Sequence, residues 1–173
     1  MSERTGVITF QGNPLTLLGP EIKVGDAAPD FEVVDGEFKP VSRSDLSGRV
    51  LLISTVPSLD TEVCQLQTKR FNQEAAKLPE GVEVLTVSMD LPFAQARFCS
   101  SEKIEGLRTL SDHVSRSLGM NWGLLIKELG LLTRAVAVVD QDGRLAHLEV
   151  VPEITNHPDY DAALGAVRKL VNT

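Results

Sequence analysis

Two apolar runs, Arg49-Val-Leu-Leu-Ile-Ser-Thr-Val56 and Val82-Glu-Val-Leu-Thr-Val-Ser88, flank a helical segment, and their reading decides the fold. Each is a nearly continuous string of β-branched residues and leucine with little alternation, the pattern of a strand covered on both faces. Strand, helix and strand in that order make a βαβ unit, in which the strands are parallel and the crossover right-handed. Residues 49–56 are therefore expected at the centre of a sheet.

Toward the C-terminus, Leu107 to Leu110 is expected as a short strand and Arg134-Ala-Val-Ala-Val-Val-Asp140 as a further buried one. Gln141-Asp-Gly143 supplies a turn into Arg144-Leu-Ala-His-Leu-Glu-Val150, so these two should form an antiparallel hairpin. Ala163, Leu164, Val167, Leu170 and Val171 keep helical spacing in a closing helix over 160–171. Toward the N-terminus, 6–10 and 15–18 bracket Gln-Gly-Asn-Pro as a hairpin, and Phe31 to Val34 is a strand. The mostly polar stretch from Asp35 to Gly48 is expected as loop and short turn. No repeat, linker or low-complexity tract interrupts the chain, so residues 1–173 are expected to form one α/β domain, with 1–20 as a hairpin extension.

Hydrophobic residues make up 42% and charged residues 24%, which excludes disordered and fibrous classes. The formal net charge of -7 argues against nucleic acid as a partner, because phosphate binding draws on clustered Lys and Arg. The dipeptides Lys69-Arg70 and Arg168-Lys169 are too small to alter that and read as solvated helix faces. No apolar run approaches the ~20 residues of a membrane span, and the N-terminus lacks the apolar stretch of a secretory signal, so a cytoplasmic location is expected. In that reducing compartment Cys64 and Cys99 are expected to be free, metal-bound or catalytic rather than a permanent bridge. Neither has a neighbour at metal-ligand spacing, and His113, His147 and His157 share no helical face, so no metal is expected. With no phosphate loop and no dinucleotide fingerprint, no bound cofactor is expected either.

The segment from Thr55 to Phe71 joins the central strand to the helix. Asp60 or Thr61 is a natural N-cap, and either choice puts Cys64 in the first turn, where unpaired N–H groups and the helix dipole favour a thiolate. Thr68, Phe71, Ala75 and Leu78 follow Cys64 at steps of four and three, so Cys64 tops an inward-facing stripe. A small buried hydrophobe would fit that stripe equally well. Position beyond the carboxyl end of a central strand favours the functional alternative, since sites in open α/β sheets gather there. Arg134 opens a strand that, if antiparallel to 49–56, starts at that same edge; otherwise it is a surface residue at a strand start.

Pro57-x-x-x-Thr61-x-x-Cys64 after a strand resembles the active-site motif of the peroxiredoxins. Val56-Pro-Ser-Leu-Asp-Thr61, together with Asp90-Leu-Pro-Phe-Ala-Gln-Ala-Arg-Phe-Cys99, is similar to their thiol peroxidase branch, the atypical two-cysteine type. The likeness continues through Ile126 to Ala135, Glu153-Ile154 and Pro158 to Leu164; the stretch His113 to Trp122 does not match. The resemblance implies a thioredoxin-like fold of peroxiredoxin type: a central mixed sheet, flanking helices and an N-terminal β-hairpin. It also implies a peroxidase of antioxidant defence, reducing hydrogen peroxide and organic hydroperoxides. In it Cys64 is the peroxidatic nucleophile and Arg134 its cation. Thr61 orients the peroxide, Pro57 walls the pocket, and Cys99 resolves the Cys64 sulfenic acid as an intramolecular disulfide. A thioredoxin-type donor and a homodimer follow from the same resemblance. Leu91 to Ser101, which holds Cys99, is expected as a short helix capped by Asp90 with Pro92 in its first turn. A bridge needs Cα atoms within about 7 Å, so cysteines on two helices imply local unwinding. A non-enzymatic redox sensor that switches through the same disulfide is the alternative.

Overall fold

The computed structural model describes residues 1–172. Eleven strands and four α-helices follow one another as β1 (Glu3–Phe10), β2 (Asn13–Leu18), β3 (Glu32–Val34), β4 (Pro40–Ser42), β5 (Val50–Thr55), α1 (Glu62–Ala75), β6 (Val82–Ser88), α2 (Pro92–Glu102), β7 (Arg108–Ser111), α3 (Ser117–Asn121), β8 (Leu125–Ile126), β9 (Leu131–Leu132), β10 (Ala135–Val139), β11 (Leu145–Val150) and α4 (Tyr160–Val171). A seven-stranded mixed sheet has the order β11-β10-β5-β6-β7-β3-β4, and β1-β2-β8-β9 form a second, smaller sheet that packs against it through Leu132 and Val150.

All six residues of β5 are buried, as its apolar run requires. It pairs parallel with β6 and antiparallel with β10, and Ala135 stands opposite Thr55. Alternation then divides the core. Val50, Leu52, Val84, Val136 and Val138 pack with Phe71 of α1, Phe98 of α2 and Leu164 of α4 on one face. Leu51, Ile53, Leu85, Val87, Ala135 and Ala137 pack with Phe31, Leu118 and Trp122 on the other. Both βα crossovers thus place α1 and α2 side by side over the same face, with their starts at the carboxyl edge of the parallel strands.

The closing helix occupies Tyr160–Val171 as its periodicity requires, with the Asp159 carboxylate accepting from the Ala162 N–H. The antiparallel β10–β11 hairpin and the N-terminal β1–β2 hairpin both form, the latter longer than its apolar residues suggest. Gly19 and Gly123 meet where this hairpin abuts the loop after α3: both have positive φ, and a Cβ on Gly19 would collide with the Met120 carbonyl, one on Gly123 with the Pro20 carbonyl.

The stretch 35–48 holds the expected short turn, a 3-10 turn over Ser44–Leu46, but the structure corrects the rest by adding strand β4. Three residues are too few to show a period; β4 exists because it pairs with β3 and buries Val41. α1 also stops at Ala75, so Leu78 lies beyond the helix although it still packs on the same core.

Candidate active site

Cys64 occupies the third helical position of α1 and is wholly buried. Thr61 is the N-cap by backbone geometry, but its hydroxyl caps nothing; it donates to the Ser58 carbonyl at 2.8 Å and so stiffens the turn before the helix. Helix α1 therefore begins with its first N–H groups free of a side-chain cap, an end that attracts negative charge.

Arg134 immediately precedes β10 and shares a sheet face with Val136 and Val138, so its side chain runs under the start of α1. It is 3% exposed, and three nitrogens have partners. Nε donates to the Ile154 carbonyl at 2.8 Å, Nη1 to the Gln67 Oε1 at 2.9 Å, and Nη2 to the Cys64 Sγ at 3.4 Å. Gln67 is itself held by donating to the Ser54 Oγ at 2.6 Å. Every oxygen that receives the guanidinium is neutral. Burying a cation is costly unless a negative charge compensates it, and Cys64 is the ionisable group placed to supply one.

Arg134 also lines a cleft of about 230 Å³ with Phe10, Pro57, Thr61, Val63 and Ile154. The guanidinium thus reaches from a solvent-connected, mostly apolar cleft to the buried sulfur. Pro57 and Thr61 contribute its wall, and Phe10 brings in the N-terminal hairpin. That hairpin is clamped by Glu153, which accepts from the Thr9 hydroxyl and the Gly12 N–H, both at 2.9 Å. These bonds, with those from Thr155, hold the Glu153 carboxyl down at about 2.

Cys99 lies elsewhere. It is the eighth residue of α2, half-buried in the same core cluster as Cys64, with its sulfur 3.5 Å from the Thr109 hydroxyl. Burial pushes its thiol above the ordinary value, and the Thr109 hydrogen bond only partly opposes this. Both cysteines are free. The first turn of α2 departs from expectation: Pro92 stands at its start, but the cap residue is Leu91, not Asp90. The Asp90 carboxylate turns back instead and accepts from Ser58, Leu59 and Ser88.

Cys64, Arg134, Thr61 and Pro57 come together as their order along the sheet edge requires, while Cys99 sits on the neighbouring helix. Sequence reasoning missed Gln67, the Ile154 carbonyl and Asp90. Gln67 carried a signal: a polar residue three positions after Cys64 falls on the inward face of the helix. The Ile154 carbonyl carried none, since it reaches Arg134 through a chain reversal after β11.

A model of the Redoxin family matches residues 23–164. Thiol peroxidases from Halalkalibacterium halodurans and Bacillus subtilis are 54% and 51% identical to this chain, over 93% and 95% of its length and 96% and 98% of theirs. The crystal structure of a peroxiredoxin-like protein from Aquifex aeolicus superposes with a TM-score of 0.89 at 45% identity, covering 96% of this chain and 97% of that one. A thioredoxin-like α/β fold with a thiol at the start of α1 defines the class, and the chain belongs to the redoxin family. Within it, the protein is a peroxide-reducing enzyme of the thiol peroxidase branch of the peroxiredoxins. Among the described residues no helix is long and apolar enough to cross a membrane.

Proposed function

We propose that the chain acts as one catalytic domain, in the cytoplasm and as a homodimer, and that Cys64 is the nucleophile that cleaves hydrogen peroxide and organic hydroperoxides. The observation that carries this reading is the buried Arg134, whose charge meets neutral oxygens and the Cys64 sulfur. A thiolate there completes the charge balance, and the helix start favours the same form. Attack on the terminal peroxide oxygen forms an S–O bond and breaks O–O. Cys64 becomes a sulfenic acid and the leaving alkoxide or hydroxide takes a proton to become alcohol or water. Arg134 donates to the charge developing on the peroxide oxygens and cannot lose its own proton. Thr61, whose hydroxyl hydrogen is occupied by Ser58, has an oxygen free to accept from the peroxide O–H. Pro57 offers no N–H and keeps that wall dry.

Cys99 then attacks the Cys64 sulfenic sulfur: S–S forms, S–O breaks, and the departing hydroxide takes the Cys99 proton to leave as water. The two cysteines sit on different helices, so the segments have to unwind before they meet. Unwinding also removes the burial that holds Cys99 as a thiol. Helix α2 is lightly anchored for this. Its buried residues are Pro92, Gln95 and Phe98, and the residue that caps its C-terminal end, Lys103, has φ 56, a left-handed conformation costing roughly 1–2 kcal/mol outside glycine. A thioredoxin-type dithiol regenerates the enzyme by disulfide exchange, without bound cofactor or metal.

The test is peroxide-dependent NADPH oxidation with thioredoxin and thioredoxin reductase over a panel of hydroperoxides. Cys64→Ser is expected to abolish turnover. Cys99→Ser is expected to complete one turnover and stop as sulfenic acid. Unchanged consumption in the first variant, or sustained thioredoxin-driven turnover in the second, overturns the corresponding role.

A further inference from the structure

The turn before α1 and the turn before α2 are tied to one carboxylate. Asp90 lies between β6 and α2. Its Oδ1 accepts from the Ser58 hydroxyl at 2.8 Å, and its Oδ2 from the Leu59 N–H at 2.8 Å and the Ser88 hydroxyl at 2.7 Å. Its own carbonyl accepts from the Ser111 hydroxyl at 2.7 Å, which fixes the group to the end of β7. Ser58 in turn receives the Thr61 N–H and hydroxyl on its carbonyl and the Asp60 N–H on its hydroxyl. One anion therefore organises the loop that carries Pro57 and Thr61 and delivers Cys64.

The same group reaches α2. Ser88, which donates to Asp90, also accepts from the Gln95 amide nitrogen at 3.1 Å, one turn before Cys99. Gln95 donates as well to the Leu110 carbonyl at 2.9 Å, but its Oε1 is buried without a hydrogen-bond partner. A buried acceptor with no donor penalises the helical state and is relieved once the segment lifts into water. Two opposed influences thus meet at this corner: hydrogen bonds to a carboxylate, which are the stronger kind, hold the turns down, and the orphaned Gln95 oxygen favours release.

We infer that Asp90 is a positioning residue that couples the two cysteine segments, holding both in the peroxide-reactive arrangement and governing how readily they let go for disulfide formation. The inference rests on the proposed roles of Cys64 and Cys99. Two fates compete for the Cys64 sulfenic acid. Cys99 displaces hydroxide and gives the disulfide, or a second hydroperoxide transfers an oxygen to the sulfur and gives sulfinic acid plus alcohol. Loosening the corner slows the first oxidation, because the cleft loop loses its anchor, and speeds resolution. Tightening it does the reverse to resolution.

The experiment mixes the reduced full-length protein rapidly with cumene hydroperoxide. It follows the rate of Cys64 oxidation, and intact mass gives the ratio of sulfinic acid to disulfide. Asp90→Asn is expected to lower the first rate about three- to tenfold and to lower the sulfinic fraction at a given peroxide concentration. Asp90→Glu restores part of both. Gln95→Met removes the amide bonds to Ser88 and to the Leu110 carbonyl along with the orphaned oxygen, so it loosens α2 while the bonds from Ser58 and Leu59 to Asp90 stay; it is expected to lower the sulfinic fraction while leaving the first rate near that of the unaltered protein. General destabilisation does not lower the sulfinic fraction in both variants while slowing the first rate in one alone. Should Asp90→Asn fail to fold, Ser58→Ala removes a single donor and shifts both quantities in the same directions by less. A sulfinic fraction that is unchanged in these variants, while the unaltered protein forms the Cys64–Cys99 disulfide, overturns the role of Asp90 alone. Absence of that disulfide in the unaltered protein overturns the reading beneath it.

Discussion

Cys64 and Cys99 share one hydrophobic cluster, yet their surroundings are opposite in kind. Cys64 is wholly buried at the start of a helix with a guanidinium nitrogen 3.4 Å from its sulfur, so burial is joined to positive charge. Cys99 is half-buried near the end of a weakly anchored helix with one neutral hydroxyl for company, and burial pushes its thiol up. The difference teaches that burial alone makes a cysteine inert, whereas burial beside a fixed cation makes it a candidate nucleophile. It also separates two demands on one reaction: the first sulfur has to be held still, and the second has to be able to leave its place.

The comparison breaks most visibly at Arg134. Arg134→Met is expected to lower the rate of Cys64 oxidation by about 10²–10³, the usual loss for a donor aimed at developing charge, in a rapid-mixing assay. A loss of less than tenfold would mean that helix α1, not Arg134, supplies the activation.

Asp112 extends the contrast to a third buried group. Its carboxylate, buried behind α3, accepts from the Leu118 N–H at 3.2 Å and the Gly119 N–H at 2.8 Å, but burial outweighs these bonds and the charge of Arg116 and lifts it to about 6. A folded value above the unfolded 3.8 means that the folded protein holds this proton more tightly. Its contribution is then fully present below 3.8 and is lost as pH rises through about 6. At 1.36 kcal/mol per pK unit this amounts to roughly 2–3 kcal/mol. Urea unfolding at pH 4 and pH 7 should show that fall in the unaltered protein and a flatter profile in Asp112→Asn.

Gln67 sharpens the comparison on the Cys64 side. Gln67→Leu leaves the Arg134 Nη1 and the Ser54 hydroxyl without their partner, and the guanidinium loses one of its anchors. Cys64 oxidation is expected to slow by about tenfold with the thioredoxin-dependent steps unaltered, in line with one lost charge-assisted hydrogen bond. The smallest effect belongs to Cys99. Thr109→Val removes the group that opposes its upward shift, so alkylation of reduced Cys99 at pH 8 is expected to slow by about two- to threefold, read by peptide mass, with Cys64 oxidation unmoved.

How much of this was legible in the residues depends on the range over which each feature is set. β5, β6, β10 and α4 were readable because long apolar runs and helical spacing repeat over many residues, and their boundaries fall within a residue or two of expectation. β4, β8 and β9 are two or three residues long and exist through pairing with other strands, too short for a period to announce them. Asp90 was expected to cap α2 because Asp is a good cap beside Pro92. It serves the neighbouring turn instead, since Ser58 and Leu59 offer two donors that no local count could foresee.

By itself the sequence determined that a cysteine stands in the first helical turn after a buried central strand, and that an arginine opens a strand able to run back to that edge. Only the tertiary structure decided the rest. Register places Ala135 opposite Thr55 and so delivers Arg134 under α1, Gln67 and the Ile154 carbonyl aim its nitrogens, and α2 keeps Cys99 apart in a separate hydrogen-bonded frame. The physical reason is that periodicity and capping are set by neighbours three or four residues away. The charge, burial and separation of the two sulfurs are set by groups brought from up to 70 positions along the chain.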